Sequence, residues 1–321
     1  MSVCQVQDNI FRICAGSHLK AVCRSISAKG IDVSLYVAGV DIGSTMTKVV
    51  IHNGTILSAI IGPTGPEHRR TAYKVMLEAL SQAKISLDDL TYVVATGYGR
   101  LNVPFADKQI TEITCHARGV SAIFPNVRTA IDIGGQDCKG IKIANGKVIN
   151  FVMNDKCAAG TGRFLEVIAE ALGVRLEEMG ALSLKSESIP KISSTCTVFA
   201  EQEVISWLAM GAKVEDILAG IHEAIATRVH GMAQRVKIER EVVITGGCAK
   251  NVGLVKALER KIGYAVLTPT EPLITGALGA ALIGKDMAKR AIEQGIPFYR
   301  AERRLAEVTF FDEGASLRNQ S

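Results

Sequence analysis

The sequence predicts an α/β protein made of two related domains, and three observations carry this prediction. Two strand-turn-strand stretches lie 91 residues apart and share an acid, a glycine and a lysine in the same order: Asp41 with Asp132, Gly43 with Gly134, and Lys48 with Lys139. An Asn-Gly pair follows each stretch, at residues 53 and 145. Segments with helical periodicity follow both stretches. Recurrence in this order favours an internal duplication over chance similarity.

Length and composition agree with two soluble domains and exclude several other classes. The chain has 321 residues, 48% hydrophobic and 21% charged, which suits globular domains with substantial cores. The net charge of +5 is small and dispersed, so a nucleic-acid partner is not expected. The longest uncharged apolar stretch, 272–284, is shorter than the roughly 20 residues of a membrane span. Eight scattered cysteines without a C-x-x-C pair predict a reducing, cytoplasmic setting.

The elements of the first domain follow from their patterns. A strand is expected over 36–41, followed by a hairpin that turns at Asn53-Gly54, a dipeptide favoured in type I′ turns. Apolar side chains recur at helical spacing over 67–84 and predict an amphipathic helix. A strand over 92–96 and the loop from Gly97 to Arg100 complete this unit.

The second domain repeats the strand pattern and then becomes helical. Helices are expected over 162–172, 199–210 and 214–236. A short apolar strand follows and breaks at Gly246-Gly247 before another helix, and 264–267 is predicted to form a further strand. The predicted boundaries are an N-terminal extension of uncertain role (1–35), a first domain (36–128), a second domain (129–270) and a polar tail (295–321). A helix over about 275–293 is expected to pack back on the first domain.

Two motifs of the second domain indicate chemistry. The run DIGGQDCK, Asp132 to Lys139, is a strand that ends in an acid and turns on paired glycines. Such a turn can bring backbone N–H groups against a phosphate, because glycine has no side chain to block the approach. The run NDKCAAGTG, 154–162, places Cys157 just before a second Gly-rich turn and a helix. A nucleotide site and a thiolate site are therefore predicted to be neighbours.

Paired Asp-led loops with a late Gly-Gly turn resemble the acetate kinase, hexokinase, Hsp70 and actin superfamily. This resemblance implies an actin-like (ribonuclease H-like) duplicated fold with a nucleotide cleft between the domains. It also implies ATP or ADP with Mg²⁺, with Asp41 or Asp132 holding the metal or orienting water and Gln136 as a further catalytic candidate. The implied nucleotide-binding residues are Gly43, Ser44, Thr45 and Lys48 in the first loop, Gly134, Gly135 and Asp137 in the second, Gly160, Thr161 and Gly162, Gly246, Gly247 and Asn251 in the adenosine loop, and Gly276.

Six motifs, which include the two runs described above, indicate a particular family within this superfamily. TGYGR, ADKQITEITCHARG, DIGGQD, NDKCAAGTGRFLE, SSTCTVFAE and ITGGCAKN look like the ATP-dependent activators of 2-hydroxyacyl-CoA dehydratases and the related ATP-binding subunits of benzoyl-CoA reductase. The resemblance runs from about residue 37 to 284. It implies an ATPase coupled to electron transfer, with a 4Fe-4S cluster held by Cys157 and Cys196 of two chains. Two ligands per chain and a two-fold axis would supply the four thiolates of a cubane, and the helix start after Cys157 would favour thiolates.

The resemblance also implies partners, among which alternatives stay open. A homodimer, or a heterodimer with a related subunit, would receive an electron from ferredoxin or flavodoxin. A 2-hydroxyacyl-CoA dehydratase is the favoured acceptor, and benzoyl-CoA reductase is the alternative. A small-molecule kinase of the same fold is a more remote alternative and would leave Cys157 and Cys196 unexplained. A nucleotide-sensing binding module with no significant turnover is a third alternative.

Other residues whose side chains could bind a metal or a ligand are expected to have structural roles. Cys115 and His116 are interpreted as packed helix residues, and Cys138 and Cys248 as spectators in the nucleotide loops. A basic set is interpreted as a solvated face, with docking on an acidic partner as the alternative; its members are Arg228, Arg235, Lys237 and Arg240.

Overall fold

The computed structural model describes residues 35–192 and 196–296. This part of the chain divides into two compact units, 35–119 with 274–296, and 120–273, apart from the gap at 193–195. The division falls inside a helix, and the last helix belongs to the first unit. Most of the predicted extension 1–35 and of the tail 295–321 lies outside the described residues. The predicted boundary between the two domains, after residue 128, stays a prediction.

The described chain alternates strands and helices. The strands are β1 Val37–Ile42, β2 Met46–Asn53, β3 Thr55–Pro63, β4 Tyr92–Thr96, β5 Lys108–Gln109, β6 Thr129–Ile133, β7 Cys138–Ala144, β8 Lys147–Asn154 and β9 Val242–Thr245. The helices are α1 His68–Ala83, α2 Glu112–Ile123, α3 Gly162–Leu172, α4 Met179–Ser183, α5 Thr197–Ala209, α6 Val214–Ala233, α7 Val252–Ile262 and α8 Thr275–Gln294. Among these helices, none has the length and apolar character needed to cross a membrane.

The first unit is a five-stranded sheet with helices packed against it. Its strand order is β3-β2-β1-β4-β5, with β1, β2 and β3 antiparallel and β4 parallel to β1. The apolar face predicted for α1 is confirmed, since its buried residues are Ala72, Val75, Met76, Ala79 and Leu80. Helix α8 lies directly on β1, because a Cβ at Gly39 would be 1.9 Å from the carbonyl oxygen of Ala277. The glycine is needed for this backbone-to-backbone contact.

The second unit is a four-stranded sheet in the order β8-β7-β6-β9. Strands β6, β7 and β8 are antiparallel, and β9 is parallel to β6. Side chains from α3, α6 and α7 pack on the strands in one hydrophobic core, which includes Ile131, Ile133, Phe164, Ile168, Ile217, Ile221, Ile244 and Leu258. The bounds of α3 coincide with the predicted 162–172.

The predicted duplication is confirmed by the strand registers. Asp41 pairs with Lys48 across β1 and β2, and Asp132 pairs with Lys139 across β6 and β7. The fourth strand is repeated as well, because β4 and β9 both run parallel to the first strand of their unit. Both fourth strands end in Thr and are followed by a glycine with positive φ, Gly97 in one unit and Gly246 in the other.

Two local expectations are wrong, and the first concerns the turn between β2 and β3. Gly54 has φ +81°, but Asn53 is not among the residues with positive φ, so the first hairpin turn is not type I′. The strands pair as far as Asn53 and Thr55, so only Gly54 lies between them, whereas a type I′ turn has two central residues. The second hairpin does have the type I′ signs, with Asn145 at φ 51° and Gly146 at φ 72°.

The predicted strand over 264–267 is reduced to one bridge, between Val243 and Leu267. Leu267 makes both backbone hydrogen bonds of this bridge, with Val242 and Ile244. The neighbouring N–H of Val266 donates to the Glu259 carboxylate at 3.1 Å, so this amide is not available to the sheet.

Candidate functional site

The first aspartate loop follows β1. Asp41 is buried, and its Oδ2 accepts a hydrogen bond from Lys48 Nζ at 3.2 Å. Two glycines from distant parts of the chain make room for this carboxylate: a Cβ at Gly97 would be 2.4 Å from Asp41 Oδ1, and one at Gly276 would be 2.7 Å from Oδ2. The predicted residue Gly276 is therefore close to Asp41. A side chain at position 276 would collide with the Asp41 carboxylate, so this position needs a glycine.

The turn between β1 and β2 carries the other residues predicted for this loop. The Gly43 N–H donates to the carbonyl oxygen of Met46 at 3.1 Å and closes the turn. Ser44 and Thr45 are exposed at its tip. Lys48 Nζ has three N–H donors, and its carboxylate partner Asp41 accepts one, so the ammonium group could also donate to a phosphate.

The second aspartate loop repeats this arrangement with more partners. Asp132 is buried, and its Oδ2 accepts from Lys139 Nζ at 3.3 Å while its Oδ1 accepts from Thr245 Oγ1 at 2.9 Å. Lys139 also contacts Asp137 Oδ2 at 2.8 Å. Gly246 has φ +82°, and a Cβ there would be 2.3 Å from the carbonyl oxygen of Ile133. Lys139 and Thr245 were not predicted as site residues, although Lys139 aligns with Lys48 in the sequence repeat.

The remaining residues of this loop lie at its surface. Gly134 and Gly135 are half-buried, Gln136 is exposed, and the Gly134 N–H donates to the Asp137 carbonyl oxygen at 2.9 Å. Both aspartates of the repeat already accept a lysine hydrogen bond. Mg²⁺ keeps several of its waters in most protein sites, so these carboxylates fit a role through metal-bound water.

The Cys157 loop joins β8 to α3 and is held by two side chains. Asn154 Nδ2 donates to the carbonyl oxygen of Cys157 at 2.8 Å and to that of Ala159 at 3.3 Å. Arg228 Nε, from α6, donates to the same Ala159 oxygen at 3.0 Å. These hydrogen bonds hold the backbone from the carbonyl group of the half-buried Cys157 to that of Ala159. Arg228 was predicted to lie on a solvated face, and this contact corrects that interpretation.

The start of α3 is bonded to the second aspartate loop. The Gly162 N–H donates to the Gly134 carbonyl oxygen, and the Arg163 N–H donates to the Gly135 carbonyl oxygen, both at 2.8 Å. Gly162 permits this approach, because a Cβ there would be 3.2 Å from Gly135 Cα. Thr161 is buried and its Oγ1 donates to the Ala158 carbonyl oxygen at 2.7 Å. Gly160 is buried beside Arg228, so direct nucleotide contact by 160–162 stays a prediction.

Solvent access separates the five described cysteines into two groups. Cys157 is partly exposed, and Cys196 is exposed at the start of α5, where it precedes the exposed side chains of Val198 and Phe199. Burial raises the pKa of the other thiols, to about 12 for Cys115 and Cys248 and well above 9.0 for Cys138. A buried thiol that stays protonated is a poor metal ligand. The two accessible cysteines are the predicted cluster ligands, and their chemistry fits that group.

A metal site within one chain is not evident. Among residues 35–192 and 196–296, no group of three or more His, Cys, Asp or Glu could hold a metal ion. Cys157 and Cys196 both belong to the second unit, which also carries the Asp132 loop.

Asn251, predicted for the adenosine loop, has structural hydrogen bonds. Its Oδ1 accepts from the Leu254 N–H at 3.0 Å and caps α7, and its Nδ2 donates to His222 Nε2 at 3.1 Å. His222 Nδ1 therefore carries the proton and donates to Ser183 Oγ at 2.9 Å. Gly247, one turn earlier, is exposed. Asn251 thus shapes the turn after Gly246-Gly247, and its direct contact with a nucleotide stays a prediction.

This buried histidine predicts a pH-dependent stability. Burial, with a smaller contribution from the Arg260 charge, lowers the pKa of His222 from 6.5 to about 4. The unfolded chain then binds a proton below about pH 6.5 that the folded chain takes up only near pH 4. The stabilisation is complete above pH 6.5 and is lost as the pH falls to about 4, by up to about 3 kcal/mol.

Urea-unfolding midpoints measured between pH 7.5 and pH 4.5 check this expectation. His222→Gln should flatten the pH dependence, because it removes the titrating group. His230→Gln, on the partly exposed side of the same helix, is the matched control and should keep the wild-type slope. An unchanged slope in His222→Gln would show that other groups cause the acid sensitivity.

Comparison with known proteins agrees with this geometry. A family model for the BadF/BadG/BcrA/BcrD ATPase family matches residues 38–284. The chain belongs to the BadF/BadG/BcrA/BcrD ATPase family. The match covers both aspartate loops, the Cys157 loop and the Gly246-Gly247 turn. Membership in this ATPase family accounts for the paired loops of the two units.

Relatives within the BadF/BadG/BcrA/BcrD family include dehydratase activators. The 2-hydroxyisocaproyl-CoA dehydratase activator of Clostridioides difficile is 48% identical over 265 residues, 80% of this chain and 97% of the relative. The crystal structure of (R)-2-hydroxyglutaryl-CoA dehydratase component A from Acidaminococcus fermentans is 46% identical, has a TM-score of 0.78 and is matched over 80% of this chain and all of that chain.

A third relative is more distant. One of the subunits of benzoyl-CoA reductase from Thauera aromatica is 34% identical over 260 residues, 77% of this chain and 92% of the relative. The predicted actin-like, duplicated α/β fold is confirmed by the structural match to the activator component.

Proposed function

We propose that this chain is an ATP-hydrolysing activator that delivers a low-potential electron to a 2-hydroxyacyl-CoA dehydratase. The similarity to named dehydratase activators supports this choice of acceptor. The lower identity to the benzoyl-CoA reductase relative makes that enzyme the alternative. A cytoplasmic setting suits the reduced thiols that the proposal requires.

One observation carries the proposal. The amide groups that start α3 donate to the carbonyl oxygens of Gly134 and Gly135, so the helix behind Cys157 is bonded to the second aspartate loop. A bound phosphate that moves the second aspartate loop would also move the start of α3. Energy coupling requires a ligand that binds one of two conformations more tightly than the other. Through these hydrogen bonds, a nucleotide bound at the second aspartate loop would change the position of the helix start next to Cys157.

The roles of the loop residues follow from their positions. Asp132 would orient the attacking water or a Mg²⁺-bound water, with Gln136 exposed beside it and Asp41 as the candidate in the other unit. Lys48 and the loop amides would balance phosphate charge. Lys139, bonded to two carboxylates, would hold the loop in shape.

Cys157 and Cys196 would hold one 4Fe-4S cluster together with the same residues of a second chain. When bound, the cluster would store the single electron that is delivered to the dehydratase. The surface near Cys196 suits coverage by another chain, because α5 and the residue after it expose the large apolar side chains of Val198, Phe199, Ile205 and Met210. A homodimer is the proposed form, with a heterodimer of related subunits as the alternative.

The decisive experiment tests whether the nucleotide affects the cluster. Exchange of ADP for a non-hydrolysable ATP analogue should change the EPR signal, the redox potential or the chelator accessibility of the reduced cluster. Reciprocity then requires reduction to change the ratio of ATP and ADP affinities by the same coupling energy, about 1–3 kcal/mol. Colour and iron content after anaerobic purification establish first that the dimer is loaded, which a kinase without a cluster would not be.

A pair of variants at one position isolates the connection. Arg163 is the second residue of α3, so Arg163→Pro removes the N–H that donates to Gly135 and no hydrogen bond within the helix. Arg163→Ala removes the same side chain and keeps the N–H. The nucleotide response should weaken in the proline variant and persist in the alanine variant. Indifference of all three cluster properties to nucleotide in the loaded wild-type dimer would refute energy coupling.

A further inference from the structure

A cavity of about 300 Å³ lies in the second unit beside the Cys157 loop. Its walls come from the end of β8, from the cysteine loop and from the end of α6 with the turn that follows; they include Met153, Asn154, Ala159, Gly160, Arg228 and Arg235. Ala159 is two residues beyond Cys157, and Asn154 is bonded to the Cys157 carbonyl oxygen. An occupant of this cavity would therefore lie next to the proposed cluster ligand.

The cavity is positively charged. Two guanidinium groups line it, and no carboxylate does. Arg228 uses Nε on the Ala159 carbonyl oxygen, and within the described residues no ion pair is observed for Arg228 or Arg235. Glu239, four residues after Arg235 in the chain, pairs with Lys142 and Arg128. Two arginines that form no ion pair within the described residues, at a concave surface, attract an anionic group.

An apolar rim continues from the cavity along the edge strand β8. Met153 lines the cavity, and Phe151, two residues earlier on the same face of the strand, is 52% exposed. Ile149, at the irregular part of the strand, is 63% exposed. Exposed apolar side chains around a charged centre are typical of a protein-binding surface. A free inorganic anion would make no use of this rim.

We propose that this surface, formed by Arg228, Arg235, Met153, Phe151 and Ile149, docks an acidic one-electron carrier protein. The proposal rests on the proposed function, which requires an electron to arrive at the cluster. In the docked pair the carrier would lose one electron and the oxidised cluster held by Cys157 and Cys196 would accept it, with no proton or bond exchanged. Carboxylates of the carrier would meet the two arginines, and its apolar surface would cover the β8 rim.

Stopped-flow reduction of the loaded, oxidised dimer by reduced ferredoxin tests this docking. Arg235→Glu should lower the second-order rate about tenfold at low ionic strength, because it replaces attraction by repulsion, and should weaken the salt dependence. Arg290→Glu makes the same charge change on an exposed position of α8 and should leave the rate unchanged. Arg228 is not used for the test, because it also holds the cysteine loop.

Reduction by the methyl viologen radical, a small cation, should be no slower in Arg235→Glu than in wild type, because the added negative charge does not repel a cation. Equal ferredoxin rates in these two proteins, or slowing with both reductants, would overturn the docking proposal. A change of oligomeric state in Arg235→Glu would also overturn it, since the surface would then contact a second copy.

Binding of ferredoxin to cluster-free protein provides a readout that is independent of electron transfer. Arg235→Glu should weaken this binding about tenfold, and Arg290→Glu should not. Wild-type protein that contains no iron would refute the proposed function, whereas the binding comparison would still decide whether this surface docks an acidic carrier.

Discussion

Replacement of either Cys157 or Cys196 by alanine is expected to abolish the 4Fe-4S cluster and leave a folded chain that binds ATP. Each variant would leave the cluster two thiolates short in the dimer, because the same change occurs in both chains. The fold should tolerate the change, since Cys157 is only partly buried and Cys196 is exposed. Truncation there creates no closed cavity, which is the usual cause of large destabilisation.

Iron, sulfide and ATP affinity should be measured on both variants after anaerobic purification. Cys115→Ala is the matched control, because this thiol is fully buried in the first unit and its pKa is raised to about 12. The control should keep the wild-type iron content. Retention of about four irons per dimer in either ligand variant would disprove the assignment of that cysteine.

The second large effect is expected at Asp132. Asp132→Asn should lower ATP hydrolysis by about two to three orders of magnitude and leave ATP binding nearly unchanged. An asparagine has the same size, and its amide can still accept from Lys139 and donate to Thr245 in place of the present bonds. In this variant the ammonium group of Lys139 still pairs with the Asp137 carboxylate. The variant thus removes the negative charge with little change in packing.

Measurement of kcat together with the dissociation constants of ATP and ADP separates catalysis from binding. Asp41→Asn is the matched comparison, because Asp41 has the equivalent lysine partner in the first unit. A large loss in Asp132→Asn and a smaller one in Asp41→Asn would assign water orientation to Asp132. Near-normal turnover in Asp132→Asn would transfer that role to Asp41 or Gln136.

The sequence was informative wherever a periodic pattern determines structure. The buried face of α1 and the bounds of α3 followed from helical spacing, and the equivalence of the two aspartate loops followed from the repeat. A signal for Gly97 was also present, since Thr96-Gly97 and Thr245-Gly246 are both Thr-Gly pairs after short apolar strands. They are 149 residues apart because the second unit contains more helix before its fourth strand.

Other parts of the site depend on contacts that no local pattern contains. Arg228 reaches the Ala159 carbonyl oxygen across 69 residues of sequence. Nothing in the sequence around Arg228 distinguishes it from the exposed arginine at 235, because only the tertiary packing of α6 decides which cation meets the loop. The type I′ prediction for the first hairpin was wrong for a similar reason, because the pairing of Asn53 with Thr55 in the sheet leaves only Gly54 between the strands.

The bonds from Gly162 and Arg163 to the second aspartate loop join main-chain atoms only. Every amino acid except proline supplies the N–H at position 163, and every amino acid supplies the carbonyl oxygens at 134 and 135. Substitution of the side chains of this loop should therefore leave these two hydrogen bonds in place. A side chain at position 162 is the change that would affect these bonds most, because its Cβ would be 3.2 Å from Gly135 Cα and the two backbones would have to move apart slightly.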